Sequence, residues 1–163
     1  MLRKISGNTS LVITSDFIRA LYELLVINSK KDTETEVFAK WIKKRIRKDT
    51  EPAFVEIYKT FYLESFSSEE LATKLTKSAF GIFKLLMIKC NPIKVVKTDK
   101  RKIHFLVETV DPGTLQGMEF LWEVIYRNTN GDVFDKAVIL LVMMYVNLSP
   151  AINRNEVSVK LIG

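Results

Sequence analysis

The chain is short of the residues on which most catalytic and extracellular proteins depend. It holds one cysteine, Cys90, and one histidine, His104, in 163 residues. A lone cysteine excludes an internal disulfide, and one cysteine with one histidine cannot close a zinc site. Such cysteine usage suits a reducing compartment. Glycine and proline are sparse, at 6 and 4, which excludes collagen-like and low-complexity classes. No glycine-rich phosphate loop is present, since Gly113 and Gly117 do not make one. The longest apolar run is "AVILLVMMYV" at 137–146. It is too short for a bilayer, which takes about 20 apolar residues. The opening "MLRKISGNTSLVITSD" lacks an apolar stretch of signal-peptide length. Acidic residues are scattered, so no oxygen-ligand metal site and no cofactor are expected. Together these absences predict a soluble protein of the cytoplasm or nucleus with no membrane role.

What the chain does have is apolar residues at helical spacing. Its hydrophobic fraction of 47% suffices for a buried core. Phe17, Ile18, Leu21, Leu24 and Leu25 predict a first helix, capped by Thr14, Ser15 or Asp16. Phe38, Trp41, Ile42 and Ile46 line a second, with Thr33 and Glu36 spaced as a capping box. Pro52 opens a third, on Phe54, Ile57, Tyr58 and Phe61. Ser67 and Glu70 are spaced to start a fourth, with Leu71, Leu75, Ala79, Ile82 and Leu86 on its face; Asn91-Pro92 stops it.

The span 93–108 is β-branched and rich in lysine. Ile103, Phe105 and Val107 alternate with His104, Leu106 and Glu108, which predicts a short β-hairpin turning at "TDKR". A basic loop followed by a short helix is the other reading. Asp111-Pro112-Gly113 marks a turn. Two apolar helices come next, split at Asn130-Gly131. Met118, Leu121, Trp122 and Ile125 are expected to face inward from one. Phe134, Ala137, Val138, Leu141, Met144, Tyr145 and Leu148 are expected to do so from the other. That last helix is apolar nearly all round, which predicts cover on more than one side. The predicted fold is all-α, built from antiparallel helical pairs of HEAT or armadillo-like type, in one domain over 1–163. The tail "AINRNEVSVKLIG" is read as a strand or frayed end, and the chain as an excerpt of a longer one.

Chemistry is thinly represented. A cysteine protease needs a thiolate, a histidine base and an orienting group, and only Cys90 and His104 are available for the first two. Cys90 closes a helix, where the dipole disfavours a thiolate. It reads as a small buried hydrophobe and His104 as an ordinary histidine. Trp41 and Trp122 sit at apolar helical positions and read as core. The formal net charge is +6, which favours acidic partners. "KWIKKRIRK" at 40–48 holds six positive charges in nine residues. Lys40, Lys43, Lys44, Arg47 and Lys48 form the candidate partner-binding face. With "KVVKTDKRK" at 94–102, it would suit nucleic acid or an acidic protein. The alternative is a solvated face that snorkels over the core edge.

The segment "QGMEFLWEVIYRNTNGDVFDKAVILLVMMYVNLSP" (116–150) resembles a segment of the very large ubiquitin-specific proteases of the fat-facets type. There a "GL-x-LW" helix, a polar turn and an "A-x-x-LL-x-x-x-Y-x-NL" helix lie in a helical-repeat region outside the catalytic domain. The matching residues are Gly117, Phe120, Leu121, Trp122, Ala137, Leu140, Leu141, Tyr145, Asn147 and Leu148. The resemblance implies a non-catalytic scaffold or interaction segment of a deubiquitinating enzyme. Its partners would be the rest of the parent chain and ubiquitinated substrates. Cys90, in "IKCNPI", lacks that family's cysteine-box context, so no catalytic residue carries over. The alternative is a free-standing helical module that uses the basic face.

Overall fold

A computed structural model describes residues 13–29, 31–49, 51–98, 102–108 and 111–147. The elements are α1 (Ser15–Tyr22), a π-turn (Glu23–Ile27), α2 (Asp32–Lys48), α3 (Pro52–Ser65), α4 (Glu69–Lys74) and α5 (Lys77–Cys90). They continue as β1 (Ile93–Thr98), β2 (Lys102–Val107), a 3-10 turn (Pro112–Thr114), α6 (Met118–Arg127) and α7 (Gly131–Val146). The fold is all-α with one small antiparallel hairpin, as the periodicity predicts. The opening residues, the "TDKR" tip, Leu148 and the tail lie outside the described residues.

Local chemistry sets most boundaries. Thr14 caps α1 by accepting from the Phe17 N–H at 3.2 Å. The π-turn then adds one residue to the repeat and rotates the side chains beyond α1 about the helix axis. Leu24, expected inside, is therefore exposed. The predicted Thr33–Glu36 capping box does not form: α2 starts at Asp32 with no side-chain cap. Ser29 organises the approach instead, accepting from the Lys31 N–H (3.1 Å) and donating to Glu34 (2.8 Å). The cap of α4 is Ser68, one residue beyond the predicted Ser67; it accepts from the Leu71 N–H.

The predicted fourth helix is two. Leu75 takes an extended conformation (ψ 123°), and Thr76 caps α5 through the Ala79 N–H. Two carbonyls near the break are satisfied from outside. Asn128, just past α6, donates to Ala72 O (2.7 Å) and Leu75 O (3.1 Å). A break of this kind is tolerated only where its backbone groups find partners.

Packing runs across the chain order. α1 lies on α3, α4 on α6, and α5 touches α2, α3, α7 and β1. Consecutive elements pack as well, the π-turn on α2 and α6 on α7. The hub is α5, because Ala79, Phe80, Ile82, Phe83, Leu86 and Met87 are buried around most of its circumference. Aromatic rings join the layers. Tyr22 meets Phe61 (5.5 Å between centroids), Phe66 meets Phe83 (5.4 Å) and Phe83 meets Phe120 (5.1 Å). The hairpin joins the core at its base, where buried Ile93 pairs with buried Val107. The Val107 N–H donates to Asn147 O at the end of α7, fixing the hairpin to that helix.

Candidate functional site

The basic helix face divides into three parts. Lys40 is paired with Glu36 at 3.3 Å, one turn back. Lys43 is half-buried over α5, its Nζ 3.8 Å from where a Cβ on Gly81 would stand. Arg45 turns inward and pairs with Asp49 (3.1 Å), a buried carboxylate that also accepts from the Tyr58 hydroxyl at 2.5 Å. Lys44, Arg47 and Lys48 are exposed, and no described acidic group pairs with them. Asp49 went unread in the sequence, although its four-residue spacing from Arg45 is the signal for such a pair.

Among the described residues, the second basic stretch is not joined to the first. β1 and α2 both pack on α5 but have no extensive contact with each other. Lys94, at the base of β1, is paired with Glu108 at 2.7 Å. Residues 99–101 lie outside the described residues.

Cys90 ends α5, and burial pushes its thiol up to about 12. At neutral pH it is therefore a thiol. Its side chain is half-buried, short of the full burial expected of it. His104 stands in β2 opposite Val96. Among the described residues, no group of three or more His, Cys, Asp or Glu is gathered as a metal ion would need.

The pair α6–α7 is built around a tight junction. Gln116 is held by its backbone: its carbonyl accepts from Tyr62 Oη (2.9 Å) and Asn91 Nδ2 (3.0 Å), and its N–H donates to Asn91 Oδ1 (2.8 Å). Gly117 follows in the left-handed region, at φ 85°. Tyr62 lies so close that a Cβ there would stand 1.8 Å from its hydroxyl. Glycine is therefore required twice over, by conformation and by space. Asn91, read in the sequence only as a helix stop, is also the clamp for this junction.

The faces of the pair differ from the predicted ones. Buried on α6 are Met118, Phe120, Leu121 and Val124, and on α7 Val133, Ala137, Leu140 and Met144. Trp122, expected in the core, is 36% exposed and stacks on Tyr126, which is 74% exposed (5.7 Å, 18° between planes). Leu141 is only half-buried, because Leu140 takes the centre of the stripe. Along α7, Ile139, Val142 and Val146 are 57%, 51% and 62% exposed. Their spacing of three and four places them on one face. A groove of about 780 Å³ lies between α3 and α6, lined in part by Leu63, Phe66, Phe120 and Trp122. No helix among the described residues is long and apolar enough to cross a membrane.

The arrangement thus offers apolar and aromatic contact surface, a short exposed cationic strip on α2, and a cysteine held as a neutral thiol. No protein family, curated protein or solved structure matches the chain significantly.

Proposed function

We propose that the chain is a non-catalytic helical module that acts by protein contact, in the role its resemblance implies: a scaffold segment of a fat-facets-type ubiquitin-specific protease. The observation that supports this reading is the unpartnered face of α7. Ile139, Val142 and Val146 each leave more than half of their surface in water, and a stripe of branched apolar residues of that kind marks an interaction surface. The stacked Trp122–Tyr126 pair adds the rigid aromatic area that anchors interfaces. The protonated thiol of Cys90 fits a role without nucleophilic chemistry. The lone cysteine fits a reducing compartment, the cytoplasm or nucleus.

The test is calorimetric titration of the purified protein with the catalytic domain of such a protease and, separately, with ubiquitin. The expected result is a binding isotherm with at least one of them. Ile139→Asp with Val142→Asp should abolish it at an unchanged melting temperature. Heat with neither partner would overturn the ubiquitin-system assignment. Cleavage of a fluorogenic ubiquitin substrate that disappears in Cys90→Ser would overturn the non-catalytic reading itself.

A further inference from the structure

Four lysines from three helices gather along one stripe of α5. Lys77, Gly81 and Lys84 follow one another at spacings of four and three, which sets them on the same side of that helix. Both α2 and α7 pack on α5. From α2, Lys43 lays its Nζ over Gly81, 3.8 Å from where a Cβ would stand. That ammonium therefore lies between the roots of Lys77 and Lys84, which are about 6 Å and about 4.5 Å away along the helix axis. From α7, Lys136 reaches Lys77, and both act on the carboxylate of Asp132. Asp132 contacts Lys77, at 3.0 Å.

Positive charge exceeds what the surroundings answer. Lys77 and Lys136 share one carboxylate, and no described carboxylate pairs with Lys43. Lys43, Lys84 and Lys136 are half-buried. Burial and then Lys77 hold the Lys136 ammonium below the usual lysine range; burial and then Lys136 do the same to Lys84. Like charges held this close repel. An anion lying among the amines offsets that repulsion. Gly81 leaves room for one: among the described residues outside α5, only the Lys43 ammonium stands within 4 Å of its Cβ position.

Spacing selects among anions. Acidic side chains on one face of a strand repeat about every 7 Å, and on one face of a helix about every 5–6 Å. Lys77 and Lys136 converge on a single carboxylate, closer together than either pattern serves. Linked phosphates bring several charged oxygens to one point, and lysine meets them as a compact point charge.

We infer that the surface over Gly81 is a binding site for a compact, soluble oligophosphate, whose oxygens accept from Lys43, Lys77, Lys84 and Lys136. Lys77 exchanges Asp132 for the ligand as it binds. The site uses none of the apolar residues of α7 that carry the proposed protein contact. It also lies on the inner side of α2, distinct from the exposed strip of Lys44, Arg47 and Lys48.

The probe is tripolyphosphate, titrated calorimetrically into the purified protein at about 0.15 M salt, where long-range attraction is screened. One saturable site is expected, with a raised melting temperature of the complex. Lys43→Gln and Lys136→Gln should each weaken binding at least about fivefold, as loss of a hydrogen bond to a charged group does. Neither should lower the melting temperature of the free protein, since each removes a repelling charge. Asp132→Asn releases Lys77 and Lys136 and should tighten binding. Asp135→Asn, an equal change of net charge at an exposed neighbour, should alter it less. The triple variant Lys44→Gln, Arg47→Gln, Lys48→Gln should bind nearly as the parent does. The inference is overturned if tripolyphosphate does not saturate, if the triple variant loses as much as Lys43→Gln and Lys136→Gln, or if Asp132→Asn weakens binding. It is equally overturned if single-stranded RNA, or phosphatidylcholine vesicles containing phosphatidylinositol bisphosphate, bind more tightly than free tripolyphosphate. Those results would make the lysines a nucleic-acid or a membrane contact.

Discussion

Replacing Gly117 with alanine should be among the most damaging single-methyl additions available in this chain. Gly117 has φ 85°. Placing an L-residue in the left-handed region costs about 1–2 kcal/mol. The added Cβ would stand 1.8 Å from Tyr62 Oη and 2.6 Å from its Cζ, so the ring must move. Tyr62 is 1% exposed and ringed by Phe66 and Phe83, at 6.0 and 5.7 Å, which leaves it little room. Moving it breaks the 2.9 Å bond to Gln116 O. Leaving those groups unpaired inside the protein costs about 1–3 kcal/mol more. The sum is about 2–5 kcal/mol, or a fall in melting temperature of about 2–4 °C for each kcal/mol in a domain of this size. Urea unfolding followed by circular dichroism measures it, as a lower midpoint at unchanged slope. Gly131→Ala is the control. Nothing lies within 4 Å of a Cβ there, so it should stay within about 0.5 kcal/mol of the parent. Tyr62→Phe should recover part of the loss when combined with Gly117→Ala, because the closest atom of the clash is gone. A Gly117→Ala protein within about 0.5 kcal/mol of the parent would refute the reasoning. So would strict additivity of the two substitutions.

Substitutions in and beside α2 give two further outcomes. Asp49→Ala removes the acceptor of the fully buried Tyr58 hydroxyl and the partner of Arg45. It should destabilise by about 2–4 kcal/mol in the same unfolding assay, and Asp49→Asn, which can still accept from Tyr58, by clearly less. A loss as small as that of an exposed pair would show that the contact is not formed in solution. On the outer side, Lys44, Arg47 and Lys48 alone are expected to engage polyanions. Binding to a labelled RNA or DNA should be weak and should vanish near physiological salt. Lys44→Gln, Arg47→Gln and Lys48→Gln together should flatten its salt dependence. Sub-micromolar binding at physiological salt would favour the nucleic-acid module over the protein scaffold.

Residue patterns along single elements were legible in advance, because a helix or strand is decided by neighbours a few residues apart. The stripe Phe38–Ile42–Ile46, the proline at the head of α3, the stop at Asn91-Pro92 and the hairpin at 93–107 all arise from local spacing and turn chemistry. The place of Cys90 at the end of a helix was readable as well. What escaped the sequence depended on groups far apart in the chain. The division of α4 from α5 rests on Asn128, more than 50 residues downstream, satisfying Ala72 and Leu75. The outward turn of Trp122 results from Phe120 and Val124 taking the inner face of α6, Phe120 against Phe66 and Phe83. The basic stretch at 40–48 reads as one uniform patch in the sequence, whereas Glu36, Asp49 and the proximity of Gly81 divide it.

The sequence by itself determined the class of the protein: helical, because the 3.6-residue repeat of its apolar residues leaves few other ways to bury them. Tertiary structure decided which surfaces remain available, since a face is open or closed only once a partner helix has been placed on it. By that criterion Ile139, Val142 and Val146 stay outside while Leu140 is buried one position away. By the same criterion Tyr22 and Ser65 come to line one cavity, although nothing in the local sequence of either residue marks it.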